Sequence, residues 1–220
     1  MLNFAVDPGL LSSYVPFEVE LDFHKGETYL SLVGFLFYHT LVPGLPIPRH
    51  RNFEKVDLRF YVRKKSAERW RRGIVSLREL VPRSAIEVTA KIFPGEPYQA
   101  LSMRSQVTDD EAGVSSAYEW RWGKKWEGLC IRSLGRSQSV PAGSHEDFIT
   151  GRDWSYTKRE GLTTEYQIKH PRWRIWPADH FDFNADAAML CGDQFVEPLN
   201  AKPVSAFIAD GSFVEVLART

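Results

Sequence analysis

The chain has 220 residues, 43% hydrophobic and 25% charged, the make-up of an ordinary globular domain with length for one sizeable core. Its 28 Lys and Arg balance 28 Asp and Glu, so the molecule as a whole has no net attraction for nucleic acid or an anionic membrane. Two cysteines make no disulfide scaffold, and neither a signal-peptide pattern nor an apolar run of about 18 residues is present, so the expectation is a cytoplasmic protein off the membrane.

The elements follow in chain order. "FEVELDF" (17–23) alternates and reads as a strand with Phe17, Val19, Leu21 and Phe23 inward, closed by a turn at "HKGE". "TYLSLVGFLFY" (28–38) is too apolar for a half-solvated strand and predicts cover on both faces. The Pro-rich stretch 41–52 reads as a loop. "EKVDLRFYVR" (54–63) is a strand whose two faces differ. Glu54, Val56, Leu58, Phe60 and Val62 share one; Lys55, Asp57, Arg59, Tyr61 and Arg63 share the other. "KSAERWRR" suggests one helical turn, and the basic residues around it read as a solvated rim.

Strands are expected at 73–80, 85–93, 97–107, 114–122 and 127–134, with Gly123 in a tight hairpin turn between the last two. Ser144 reads as the N-cap of a short helix over 143–152. Strands at 153–158 and 163–169 follow, then an extended 170–177, a helix over 181–199 that Gly192 interrupts, and a hairpin over 204–217 turning at Asp210-Gly211. With strand following strand, the reading is mainly β and largely antiparallel: one domain, 1–220, closed or half-closed as a barrel with a few short helices.

Phosphate-binding glycine loops and nucleophile elbows are missing. The six histidines show no zinc spacing, and Asp179, His180, Asp182 and Asp186 read as a polar helix start, so no metal or cofactor is expected. Trp120, Trp122 and Trp126 surround one hairpin and read as structural.

Four segments in order carry a resemblance: "FEKVDLRFYV" (53–62), "PYQALSM" (97–103), "DWSYTKREGLTTEYQIKHPRW" (153–173) and "VSAFIADGSFVEV" (204–216). Together they resemble the YqjF-like family of unknown function, similar in fold to acetoacetate decarboxylase. The resemblance implies a cone-shaped antiparallel barrel around a pocket. It does not transfer activity. The decarboxylases place two lysines directly after a strand proline, one of which forms a Schiff base. Here Pro97 is followed by Tyr98 and Gln99, which form no imine. Lys91, where relatives often carry arginine, is the remaining candidate nucleophile, and the family's histidine near Arg152-Asp153 is missing.

Glu54, Arg59, Tyr98 and Gln99 are therefore the candidate ligand-binding residues, with Glu54 and His170 as candidate proton carriers. Asp57 stands where relatives carry asparagine, so Arg59 either pairs with Asp57 or remains open to a substrate carboxylate; an Asp57–Arg104 pair is the other option. Two functions stay open: a module binding a small keto or carboxylate ligand, or an acid–base enzyme on such a compound. The partner expected is a small molecule or a second copy of the chain.

Overall fold

The computed structural model describes residues 1–38, 52–86, 89–90, 95–159 and 161–217. The strands are β1 (Leu2–Val6), β2 (Glu20–Leu21), β3 (Thr28–Phe37), β4 (Phe53–Lys65), β5 (Trp70–Pro82), β6 (Tyr98–Asp110), β7 (Gly113–Trp122), β8 (Lys125–Leu134), β9 (Gln138–Ser139), β10 (Trp154–Arg159), β11 (Leu162–Lys169), β12 (Arg174–Pro177), β13 (His180–Asn184), β14 (Ser205–Ala209) and β15 (Glu215–Leu217). The main path runs β13-β8-β7-β6-β5-β4-β3-β1-β14-β12-β9, and its ends do not pair among the described residues. The chain is mainly β, and its sheet is not closed among the described residues. Residues 174–184 bend so that β12 pairs with β14 while β13 pairs with β8, and β14 packs against β7 and β8.

Nearly all pairings are antiparallel. The exceptions meet on β5, which runs parallel to β10 at Gly73–Ile74 and parallel to β6 at Glu79–Pro82. The sheet forks there, with β10 and β11 leaving on one branch and β6 on the other.

The alternation seen in the sequence sorts β4 into two cores. Val56, Leu58, Phe60 and Val62 join Leu30, Leu32, Trp120 and Ile131 in the larger one. Tyr61 joins Tyr29, Val33, Ile74, Phe148 and Ile149 in a smaller one on the opposite face. β3 is therefore buried on both sides over its first six residues, as its composition predicts. Ser144 caps the helix His145–Thr150 by accepting from Asp147 N–H, and Gly123 turns the β7–β8 hairpin at φ 55°.

Several expectations need correction. Only Glu20–Leu21 of 17–23 is strand, and Phe17 and Phe23 are exposed. Residues 67–69 form a bend, not a helical turn. Within 85–93, the Thr89 N–H donates to Ala85 C=O, a helical bond; 87–88 and 91–94 lie outside the described residues. Residues 180–184 are strand, so the helices begin only at Ala187 and break at Gly192 (φ 98°). β14 and β15 do not form a hairpin: β14 pairs with β1 and β12, and β15 with β11. Long-range pairing decided these segments over local pattern.

Candidate functional site

The face of β4 opposite the large core carries Lys55, Asp57 and Arg59, and all three are buried. Their neighbours follow from register. Phe35, Val33 and Ser31 on β3 stand beside them on one side; Glu79 and Ser76 on β5 stand beside Asp57 and Arg59 on the other. A register shift at Leu58/Arg59 makes this set possible. In a regular strand, Ser76 and Glu79 would point to opposite faces. The bulge puts both on one face, where Ser76 Oγ donates to Glu79 Oε1 at 3.0 Å.

The fork adds the remaining groups. Tyr98, the first residue of β6, pairs with Glu79. Just before it, Glu96 reaches back toward the β10 branch. Its Oε1 accepts from Thr157 Oγ1 at 2.7 Å, Tyr166 Oη at 3.1 Å and Ser155 Oγ at 3.4 Å. The Tyr98 hydroxyl donates to Thr89 C=O at 3.2 Å.

Three carboxylates and two cations are thus removed from water together. Isolated, each would be prohibitively costly to bury. Lys55 Nζ lies 2.7 Å from Glu79 Oε2. Burial pulls the lysine pKa down, but Glu79 and Asp57 outweigh it and the amine is held above its ordinary range. Burial and the Glu79 charge push Asp57 up to about 6 despite Lys55 and Arg59. Burial, Glu79 and Asp57 push Glu96 up to about 8, against the opposing hydrogen bond from Thr157 and the charge of Lys55. Burial beside these carboxylates also raises the phenols of Tyr98 and Tyr166.

Arg59 is the loosest member. Its Nη1 stands 4.0 Å from Asp57 Oδ2, and its guanidinium lies 5.5 Å from the Phe35 ring centroid. Arg59 Nε, Asp57 Oδ1 and Glu96 Oε2 are buried with no hydrogen-bond partner. Buried polar atoms in folded proteins are paired in about 90% of cases or more, so three orphans in one cluster are exceptions that a water or a bound polar group would satisfy. A surface depression of about 480 Å³ at Lys64, Arg71 and Glu165 is less suited to such a group, because Glu165 already bridges both cations at 3.1 Å.

Of the residues singled out from sequence, Arg59 and Tyr98 come together here. Glu54 points to the other face of β4, beside Tyr118, whose phenol is raised by burial and by Tyr38 and Glu54. Gln99 pairs with Leu80 and shares the large-core face. His170 stacks on Trp173 at 4.2 Å, away from the fork. Lys91 lies outside the described residues. Arg104 binds Glu119 in a bidentate pair and not Asp57. No His/Cys/Asp/Glu group among the described residues could hold a metal, and no helix among them is long and apolar enough to cross a membrane.

Lys55, Glu79 and Glu96 are the residues sequence reasoning passed over. For Lys55 the signal was present in the strand 54–63: one face was already a complete core stripe, so charge on a strand buried on both sides had to be paired inside.

The model of an uncharacterized conserved protein family, DUF2071, matches residues 1–212. The chain belongs to the DUF2071 family. Uncharacterized protein YqjF of Bacillus subtilis (strain 168) is 26% identical over 168 residues, which is 76% of this chain and 64% of YqjF. Among solved structures, an acetoacetate decarboxylase-like enzyme from Sphingomonas wittichii RW1 superposes with a TM-score of 0.60 at 11% identity, over 94% of this chain and 82% of the enzyme. The enduracididine biosynthesis enzyme MppR, bound to the condensation product of pyruvate and imidazole 4-carboxaldehyde, gives 0.59 at 13%, over 98% and 80%. Acetoacetate decarboxylase from Legionella pneumophila gives 0.57 at 13%, over 99% and 83%. These likenesses establish an acetoacetate decarboxylase-like fold for this DUF2071 protein.

Proposed function

We propose that the fork binds a small organic acid, with the ligand carboxylate on Arg59. One observation carries the reading: a buried guanidinium whose Nε has no partner and whose nearest carboxylate contact is 4.0 Å away. A ligand carboxylate would complete it with charge-assisted hydrogen bonds, each stronger than a neutral one. Phe35 supplies an apolar wall beside it. That MppR has been crystallised with a pyruvate-derived compound, on the same fold, supports a keto or carboxylate ligand.

A second reading, an acid–base enzyme on such a ligand, is favoured by Glu96, a buried carboxyl held neutral at physiological pH. Schiff-base chemistry gains nothing from Lys55, whose amine is held protonated by Glu79.

Thermal denaturation with a panel of small carboxylates tests the proposal. A ligand at 100 times its Kd adds about 2.7 kcal/mol, or roughly 5–10 °C for a chain of this size. The shift should vanish in Arg59→Gln. A shift that survives Arg59→Gln places the ligand elsewhere.

A further inference from the structure

Glu96 is built asymmetrically. Three hydroxyls from two strands, Ser155 and Thr157 on β10 and Tyr166 on β11, converge on Oε1. A carboxyl oxygen offers two lone-pair directions, so Oε1 is saturated. Oε2 is equally buried and has no partner. With these hydroxyls donating to Oε1, the oxygen left to carry the proton of a neutral carboxyl is Oε2.

We propose that Glu96 carries the site's exchangeable proton, and that its Oε2–H donates to an oxygen of the organic acid that Arg59 holds. This inference rests on the fork as an organic-acid site. Without the proton, the Glu96 carboxylate would face the ligand carboxylate as a like charge, and the cluster would hold an excess of buried anions. Among the described members of the cluster, Lys55 and Arg59 offset Asp57 and Glu79, and an ionised Glu96 would add a third anion.

The groups facing Glu96 agree. From β4 come Lys55, which favours the ionised form, and Asp57, which opposes it; from β5 comes Glu79, which opposes it most strongly after burial. From β6 comes Tyr98, itself raised by Glu79 and Glu96 and so an intact phenol. β10 and β11 supply the neutral hydroxyls of Ser155, Thr157 and Tyr166, and Arg159 packs against Gly95 next door. The carboxyl is held neutral up to a pH of about 8.

The sign of the linkage follows. The ligand binds the acid form, so affinity is full below the Glu96 pKa and is lost as pH rises through it. Binding should then weaken about tenfold per pH unit, with one proton taken up per ligand bound.

Calorimetric titration of the full chain with pyruvate, from about pH 7, above the Asp57 titration, to about pH 9.5 in buffers of different ionisation enthalpy, tests this. Wild type should show a flat affinity, then the tenfold-per-unit fall with proton uptake. Glu96→Gln keeps an acceptor toward the three hydroxyls and an N–H donor at the second position. It should bind pyruvate with no pH dependence across the range. Glu96→Leu should lose binding at every pH. A flat profile in the wild type, or an unchanged slope in Glu96→Gln, overturns the inference while leaving the organic-acid site standing. If pyruvate gives no heat, formate, the smallest carboxylate, is titrated in its place. No heat from either ligand at any pH contradicts both the site and this inference.

Discussion

The ammonium of Lys55 lies 2.7 Å from the carboxylate of Glu79, with the two side chains 8% and 2% exposed. Removing one partner strands the other as a bare buried charge. Lys55→Met or Glu79→Leu alone should each cost about 3–5 kcal/mol, whereas the double variant should cost far less than their sum. Urea denaturation of the three variants reads the difference directly. The same pair keeps the amine protonated, so borohydride with pyruvate should leave Lys55 unlabelled by mass spectrometry.

Asp57 and Glu96 have folded-state pKa values of about 6 and about 8, above the ordinary 3.8 and 4.5. This reverses the usual carboxylate case. Between the ordinary and the raised values the folded state binds more protons at these two carboxyls than the unfolded, so their contribution to stability falls as pH rises through about 4 to 8. Glu96→Gln should remove part of that fall. Its melting temperature relative to wild type should be higher near pH 8.5 than near pH 5.

Gly34 on β3 lets the Tyr118 ring lie directly against the backbone; a Cβ there would overlap the ring carbons. Tyr118 is buried in the large core and has little room to withdraw. Gly34→Ala should destabilise by about 1–3 kcal/mol, measured by chemical denaturation.

Arg152 lies under the smaller core, between the rings of Phe148 and Tyr61, at 3.9 and 4.9 Å from their centroids. Its Nη1 donates to Asp22 Oδ2 at 2.6 Å, and Arg72 Nε donates to the same oxygen at 2.9 Å. Asp22→Leu strands the arginine and should cost about 3–5 kcal/mol. Arg72→Leu should cost less, because its side chain is 42% exposed and water can replace it.

What could be read in the sequence was what depends on local period and turn chemistry. The two faces of β4, the double cover of β3, the Ser144 cap and the Gly123 turn all follow from residue type and spacing. Two members of the fork, Arg59 and Tyr98, were reached instead through the family resemblance. Glu79 stayed hidden because regular alternation assigns it to the face opposite Ser76, and only a bulge in the β4–β5 register reverses that. Glu96 stayed hidden because its partners, Ser155, Thr157 and Tyr166, lie 59 to 70 positions away. The hairpin expected over 204–217 failed for the same reason, since both of its strands found distant partners.

The most direct test of the account is a crystal structure of the protein grown with saturating pyruvate. The account predicts a carboxylate on the Arg59 guanidinium, with a ligand oxygen within hydrogen-bond distance of Glu96 Oε2. A fork whose buried atoms are satisfied by protein groups alone, with pyruvate absent or bound elsewhere, would contradict it.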